Sequence, residues 1–162
     1  MSKKKIIIGV CIFAALLICV GLYLLVAGYI KPMADYKELT DRFDQYIVKS
    51  FENDKNMHGA LQKARMEMSL SEYENLKKTL LDENWVLDNT SDCHDFIYLI
   101  EEDTPESKNE HLSYHSYKKD GFLGLLHNTT VVDMYTVFAG DRVIIQFGSS
   151  IDLSYRPGQE TK

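Results

Sequence analysis

The chain has 162 residues, with 18 basic and 24 acidic side chains and a formal net charge of −6. Three of the basic side chains, Lys3, Lys4 and Lys5, precede a long apolar run, which leaves 15 against 24 after Ile30, a formal net of −9. That balance argues against nucleic acid, which needs a basic footprint, and against docking on anionic lipid by charge; it suits a soluble domain and is compatible with a basic protein partner.

Residues 1–5 read as a basic cytoplasmic tail. Ile6 to Ile30 then runs for 25 residues without a charge. At about 1.5 Å per residue it reaches roughly 37 Å, against a bilayer core of about 30 Å, so it is expected to contact lipid as a tilted transmembrane helix. Tyr23 and Tyr29 sit toward its far end, where amphipathic rings favour the interface. A signal peptide has an apolar region of only about 7–15 residues. The run is therefore expected to stay uncleaved, although Val26-Ala27-Gly28 would be a tolerable cleavage site. Neither Cys11 nor Cys19 follows a small-residue lipid-attachment box. The density of Lys3 to Lys5 puts the N-terminus in the cytoplasm and the rest outside it, with a bacterial inner membrane and a periplasmic domain as the favoured setting. Cys11, Ala15 and Cys19 recur every four residues and offer a seam for a homodimer. Cys93 is the one cysteine beyond the run, so no disulfide can form within the domain.

Residues 31–56 read as a juxtamembrane amphipathic helix and a connection. Pro32 predicts a kink or break. Tyr36, Leu39, Phe43, Tyr46, Ile47 and Phe51 predict a helix from Met33 to Phe51, and Asn53 to Asn56 its connection to a domain at 57–156. That domain opens with a weaker helix, Met57 to Met68, striped by Met57, Leu61, Ala64 and Met68. Ser71-Glu72-Tyr73-Glu74 has capping-box spacing. It starts a helix with Tyr73, Leu76 and Leu80 inward, ending near Asn84. Strand texture follows: a short Trp85 to Leu87, a turn at Asp88 to Ser91, then Phe96 to Glu101, Leu112 to Lys118, Val131 to Phe138 and Val143 to Phe147. Ala139-Gly140-Asp141 predicts a tight hairpin. Longer loops are expected at 103–110, polar with Pro105, and at 120–129, and a loose tail at 157–162. The predicted fold is α+β: one N-terminal transmembrane helix, then two to three helices packed on a mainly antiparallel sheet of four to five strands, with Trp85 buried where the halves meet. Helices followed by a meander resemble, in element order alone, the small envelope lipoproteins that assist outer-membrane assembly; their lipid-attachment cysteine is missing here.

Catalytic signatures are absent: there is no G-x-S-x-G, H-E-x-x-H, phosphate-binding glycine loop or C-x-x-C. No catalytic residue, cofactor or metal is expected. Asp92-Cys93-His94-Asp95 is the most ligand-like cluster and reads as a polar turn. His111 and His115 should share one face of a strand, about 13 Å apart at roughly 3.3 Å per residue, too far for one ion. Asn89-Thr90-Ser91 and Asn128-Thr129-Thr130 fit the glycosylation pattern and fall in predicted turns. Within the apolar loop Gly121 to Leu126, Phe122, Leu123, Leu125 and Leu126 are the candidate partner-binding residues. The expected function is that of a membrane-anchored extracytoplasmic protein-binding module, an envelope-complex accessory or an immunity-type protein. The alternative is a membrane-anchored enzyme with its site near His94, Asp95, His111 and His115.

Overall fold

A computed structural model describes residues 3–88, 109–120 and 126–153. Helix α1 (Lys3–Leu25) is regular, and every residue from Ile6 to Val26 is exposed. The chain does not break at Pro32. Val26–Ile30 widen into a π turn, closed by the Lys31 N–H donating to the Val26 carbonyl, and α2 (Lys31–Asp41) follows with Pro32 in its first turn. A proline inside a helix has no N–H to give, and its ring presses on the carbonyl four residues back. The wider turn just ahead of Pro32 relieves both conflicts. The chain thus has one N-terminal helix long and apolar enough to span a bilayer.

Helix α2 stops ten residues short of the predicted Phe51. Its face is real as far as Thr40 and Phe43, which are buried. A short 3-10 turn (Asp44–Tyr46) then leads into strand β1 (Ile47–Asn56), whose Val48 and Phe51 are exposed. The segment expected as a connection, Asn53 to Asn56, is the end of that strand. The connection is Met57-His58, held by the His58 N–H donating to Asn56 Oδ1 at 2.8 Å.

The expected second helix is strand β2 (Gly59–Ser69). Ala64, Met66 and Met68 are buried in alternation, the period of a strand and not of a helix. Met57 projects from the turn, 83% exposed. Gly59 is required where it stands: a Cβ there would lie 1.9 Å from the Ile151 carbonyl oxygen.

Helix α3 (Leu70–Asp82) has its capping box two residues earlier than predicted. Ser69 Oγ accepts from the Glu72 N–H, and Glu72 Oε2 accepts from the Ser69 N–H. At the other end Asn84 takes a left-handed φ of 67°. The Trp85 N–H bonds the Leu80 carbonyl at 3.0 Å and the Asn84 N–H that of Leu81 at 3.2 Å. This is a Schellman closure, with Asn in the usual glycine place, and it turns Trp85 inward.

Strands β3 (Val86–Asp88), β4 (Asn109–Asp120), β5 (Leu126–Ala139) and β6 (Arg142–Asp152) complete an antiparallel sheet in the order β1-β2-β6-β5-β4-β3. The described residues therefore hold six strands, more than the four to five expected, because 47–69 contribute two. The element order of helix, two strands, helix and strands also removes the basis of the lipoprotein resemblance. Asp88, read as turn, pairs with His111. Residues 126–129, read as loop, open β5. The Gly140-Asp141 hairpin forms as predicted, with Gly140 at φ +64°. The expected strand Phe96 to Glu101, the Asn89 glycosylation pattern, the 103–108 part of the first polar loop and the 157–162 tail lie outside the described residues.

Both α2 and α3 pack on one face of the sheet. Between them and the strands lies the core: Phe43, Met66, Tyr73, Leu80, Trp85, Leu112, Met134, Ile145 and Phe147, all at most 4% exposed. Phe43 stands edge-on to Trp85, with centroids 6.0 Å apart, and tilts against Phe147 at 5.2 Å. A second cluster of Met33, Tyr36 and Ile151, with Tyr29 and Leu153 packed against it, fastens α2 and the π turn to the sheet.

Candidate functional site: a groove between α2 and the sheet

Where α2 crosses β4 and β5, the helix and sheet do not close completely, and a groove of about 370 Å³ remains. Its helix wall carries Asp35, Glu38 and Arg42, and its sheet wall Ser116 and Lys118, with Asn128 and Thr130 as floor. Along α2, Asp35 to Arg42 covers about 10 Å. An ion pair bridges each end. Lys118 Nζ reaches Asp35 at 3.3 Å on the side of the apolar helix. At the far end Arg42 Nη1 donates to both carboxylate oxygens of Glu83, at 2.9 and 2.7 Å. Thr130 and Asn128 are buried. Asn128, read as a glycosylation site in a turn, is therefore a buried strand residue.

The wall is held from behind. Tyr36 shares a hydrogen bond with Ser149 Oγ at 2.8 Å. Burial raises the pKa of its phenol, and the Ser149 bond offsets part of that rise. Thr40 Oγ1 donates back to the Tyr36 carbonyl at 3.0 Å. The groove thus has a fixed helix wall, two cationic and several anionic groups, and hydroxyl and amide groups along its length. Chemically it can receive an extended polar segment carrying both donors and acceptors. No histidine or cysteine is among the described residues that line it.

The residues singled out in the sequence lie elsewhere. Phe122, Leu123 and Leu125 are outside the described residues, as are Cys93, His94 and Asp95. Leu126 is the first residue of β5, half-buried, with its side chain against Gly28 of the π turn. Cys11, Ala15 and Cys19 are exposed on α1.

His111 and His115 share a face, as expected, but it is the face opposite the groove. Both lean over Ser113 toward Asp133, whose Oδ1 lies 3.0 Å from His111 Nε2 and 3.5 Å from His115 Nε2. The His111 ring is also stacked on Tyr135, with centroids 4.2 Å apart. The 13 Å spacing described backbone positions; the side chains close much of that gap on a shared carboxylate. Sequence reasoning missed Asp133 because it is the cross-strand partner of Ser113, a relation set by strand register. Among the described residues no group of three His, Cys, Asp or Glu side chains is arranged to hold a metal ion.

The groove residues were also missed. Asp35 and Arg42 read as the polar side of an amphipathic helix. Only the crossing of that helix over β4 and β5 makes them one wall of a site. No family model matches the chain, and no curated protein or solved structure matches it.

Proposed function

We propose that the protein is a single-pass, membrane-anchored binding module and not an enzyme. In this reading the N-terminus lies in the cytoplasm and the domain outside it, most simply in the periplasm of a bacterium. The domain recognises another protein, as an envelope-complex accessory or an immunity-type protein would. The observation that carries the reading is the groove at the foot of the apolar helix, with carboxylates and cations bridged at both ends. Mixed charge over about 10 Å suits the backbone and side chains of an extended polypeptide segment. The formal −9 of the chain after Ile30 favours a basic partner and a fast, salt-sensitive encounter.

The test is site-specific photocrosslinking of the full chain in its own membrane. A benzophenone side chain at Glu38 or Ser116, both in the groove wall, should give one discrete protein adduct. The same group at exposed Glu74 on α3 should not. Filling the groove with Ser116→Trp should abolish the Glu38 adduct. Equal labelling from Glu74, or no adduct from either groove position, refutes the reading.

One observation favours the second reading, an enzyme: His111 and His115 converge on Asp133. Imidazole and carboxylate in contact are acid–base equipment. Under that reading Asp133→Asn abolishes the biological activity of the full chain while leaving the groove adduct unchanged.

A further inference from the structure

The end of the apolar helix and the foot of the sheet meet at one level. Leu126 Cδ2 lies 3.1 Å from where a Cβ on Gly28 would stand. The twenty α-helical residues before the π turn, Ile6 to Leu25, span about 30 Å, the thickness of a bilayer core. Burial by the domain begins just beyond them, at Ala27.

A second pair of fixed points gives direction. Tyr36 bonds Ser149 and packs on Ile151, and Ile151 pairs with Thr130 of β5. From Leu126 to Thr130 is about 13 Å along the strand. From Gly28 to Tyr36 is about 12 Å along the helix. Both elements therefore advance in the same sense away from the Gly28–Leu126 contact, the helix crossing from β5 toward β6 as it goes. The strands thus lead away from any membrane the helix crosses, with the Leu126 end of β5 nearest to it. The β4–β5 pair also reaches below its neighbours. Thr129 is level with Asp152 and Gly59, the ends of β6 and β2, whereas Leu126 with its partner Asp120 lies three pairs further out, about 10 Å.

We infer that this end of the β4–β5 pair is a second membrane contact, seated among the phospholipid headgroups of the leaflet from which the helix emerges. Leu126, packed beside Gly28, lies just outside the acyl boundary, and Lys118, about two pairs higher, stands at the level of the phosphates. The inference rests on the reading that the helix spans a bilayer. It does not depend on net charge, which is negative; the contact follows from the reach of the β4–β5 pair and from Leu126, an apolar residue at the end of β5. It restricts the tilt of the domain and fixes the height at which the groove faces a partner.

Tryptophan reporters in the full chain, reconstituted in phospholipid vesicles brominated near the top of the acyl chains, test this. Leu126→Trp should lose emission to the bromine, and Lys118→Trp should lose less. Asp141→Trp, in the turn at the opposite end of β5 roughly 43 Å away, should lose none. Emission from Trp85, buried in the core, reports that each variant is folded. If Leu126→Trp and Lys118→Trp are as unquenched as Asp141→Trp while the protein resists alkaline extraction, the helix spans but the β4–β5 pair stands clear of the lipid, and this inference is wrong while the proposed function stands. Release of the protein by alkaline extraction overturns both.

Discussion

The two faces of the sheet carry side chains from the same strands and are built differently. On the helix-covered face, β2, β6 and β5 contribute Ala64, Met66, Ile145, Phe147, Val132 and Met134, all buried. On the other face the same strands contribute Arg65, Glu67, Gln146, Asp133 and Tyr135. Arg65 bonds Glu67 at 2.8 Å, and Asp133 is bracketed by His111 and His115. Only toward the Gly140 turn does this second face become apolar, where Val137 and Ile144 cluster with Ala139. One face is held mainly by apolar burial, which is non-directional and scales with area. The other is held mainly by partly exposed ion pairs, whose net worth is small. Substitutions on the two faces should therefore separate by size.

The largest expected effect is at Trp85. It is 4% exposed, lies against Phe43 and, at 5.6 Å, Tyr114, and its Nε1–H has no hydrogen-bond partner among the described residues. Its contribution is packing. Trp85→Ala should cost about 3–5 kcal/mol, read as a large fall in the denaturation midpoint with the slope unchanged. A loss below 1 kcal/mol would break the contrast between the faces.

Tyr73 comes next, because its buried ring on the covered face carries a phenol that donates to Glu110 Oε2 at 2.7 Å. Burial first, and then the Glu110 carboxylate, push its pKa well above the ordinary tyrosine value. For Lys77, burial alone would lower the pKa, but the bonds and charge of Glu110, with Glu74 behind it, leave it raised. Both groups hold their proton more tightly when folded. Their contribution is complete below the unfolded values, near pH 10, and is lost as pH rises through the folded ones. Tyr73→Phe should cost about 1–2 kcal/mol at neutral pH. It should also make the alkaline loss of stability above about pH 10 shallower in a chemical-denaturation series. An unchanged alkaline limb would remove Tyr73 from this account.

Ser69→Ala sharpens the comparison at the point where α3 is set onto the covered face. It removes a helix cap and should cost about 1 kcal/mol. The bonds from Ser69 hold the Glu72 carboxyl below its ordinary pKa. The stability this represents is present above the unfolded carboxylate value and lost as pH falls through the folded one. The wild-type chain should therefore lose more stability on acidification than Ser69→Ala does, and parallel curves would contradict the box.

The smallest effect should come from the second face, the one away from α2 and α3. Asp133→Asn breaks a partly exposed carboxylate–imidazole pair and should change stability by about 0.5 kcal/mol or less. A loss of several kcal/mol in the same denaturation assay would show that this face is a second core and that the two faces are alike.

Local chemistry alone was enough for some parts of this protein. Twenty-five uncharged residues make a membrane-length helix whatever follows them, because their backbone groups bond within the segment. The Gly140-Asp141 turn, the strands around it and the inward Trp85 were likewise legible, since turn chemistry and β-branched runs act over a few residues. The stretch from Phe43 to Ser69 was not. Ala64 and Met68, four residues apart, share a face on a helix and also on a strand, so their spacing favours neither. The choice was made by β6, whose Phe147 and Val143 stand opposite them from about eighty residues away, a pairing that the stretch itself does not encode. The site follows the same division. Asp133 meets the two histidines because of strand register, and Asp35 and Arg42 face Lys118 and Ser116 because a helix crosses the sheet there. Side chains far apart in the chain acquire their common chemistry from packing, which depends on the whole core and not on any one segment.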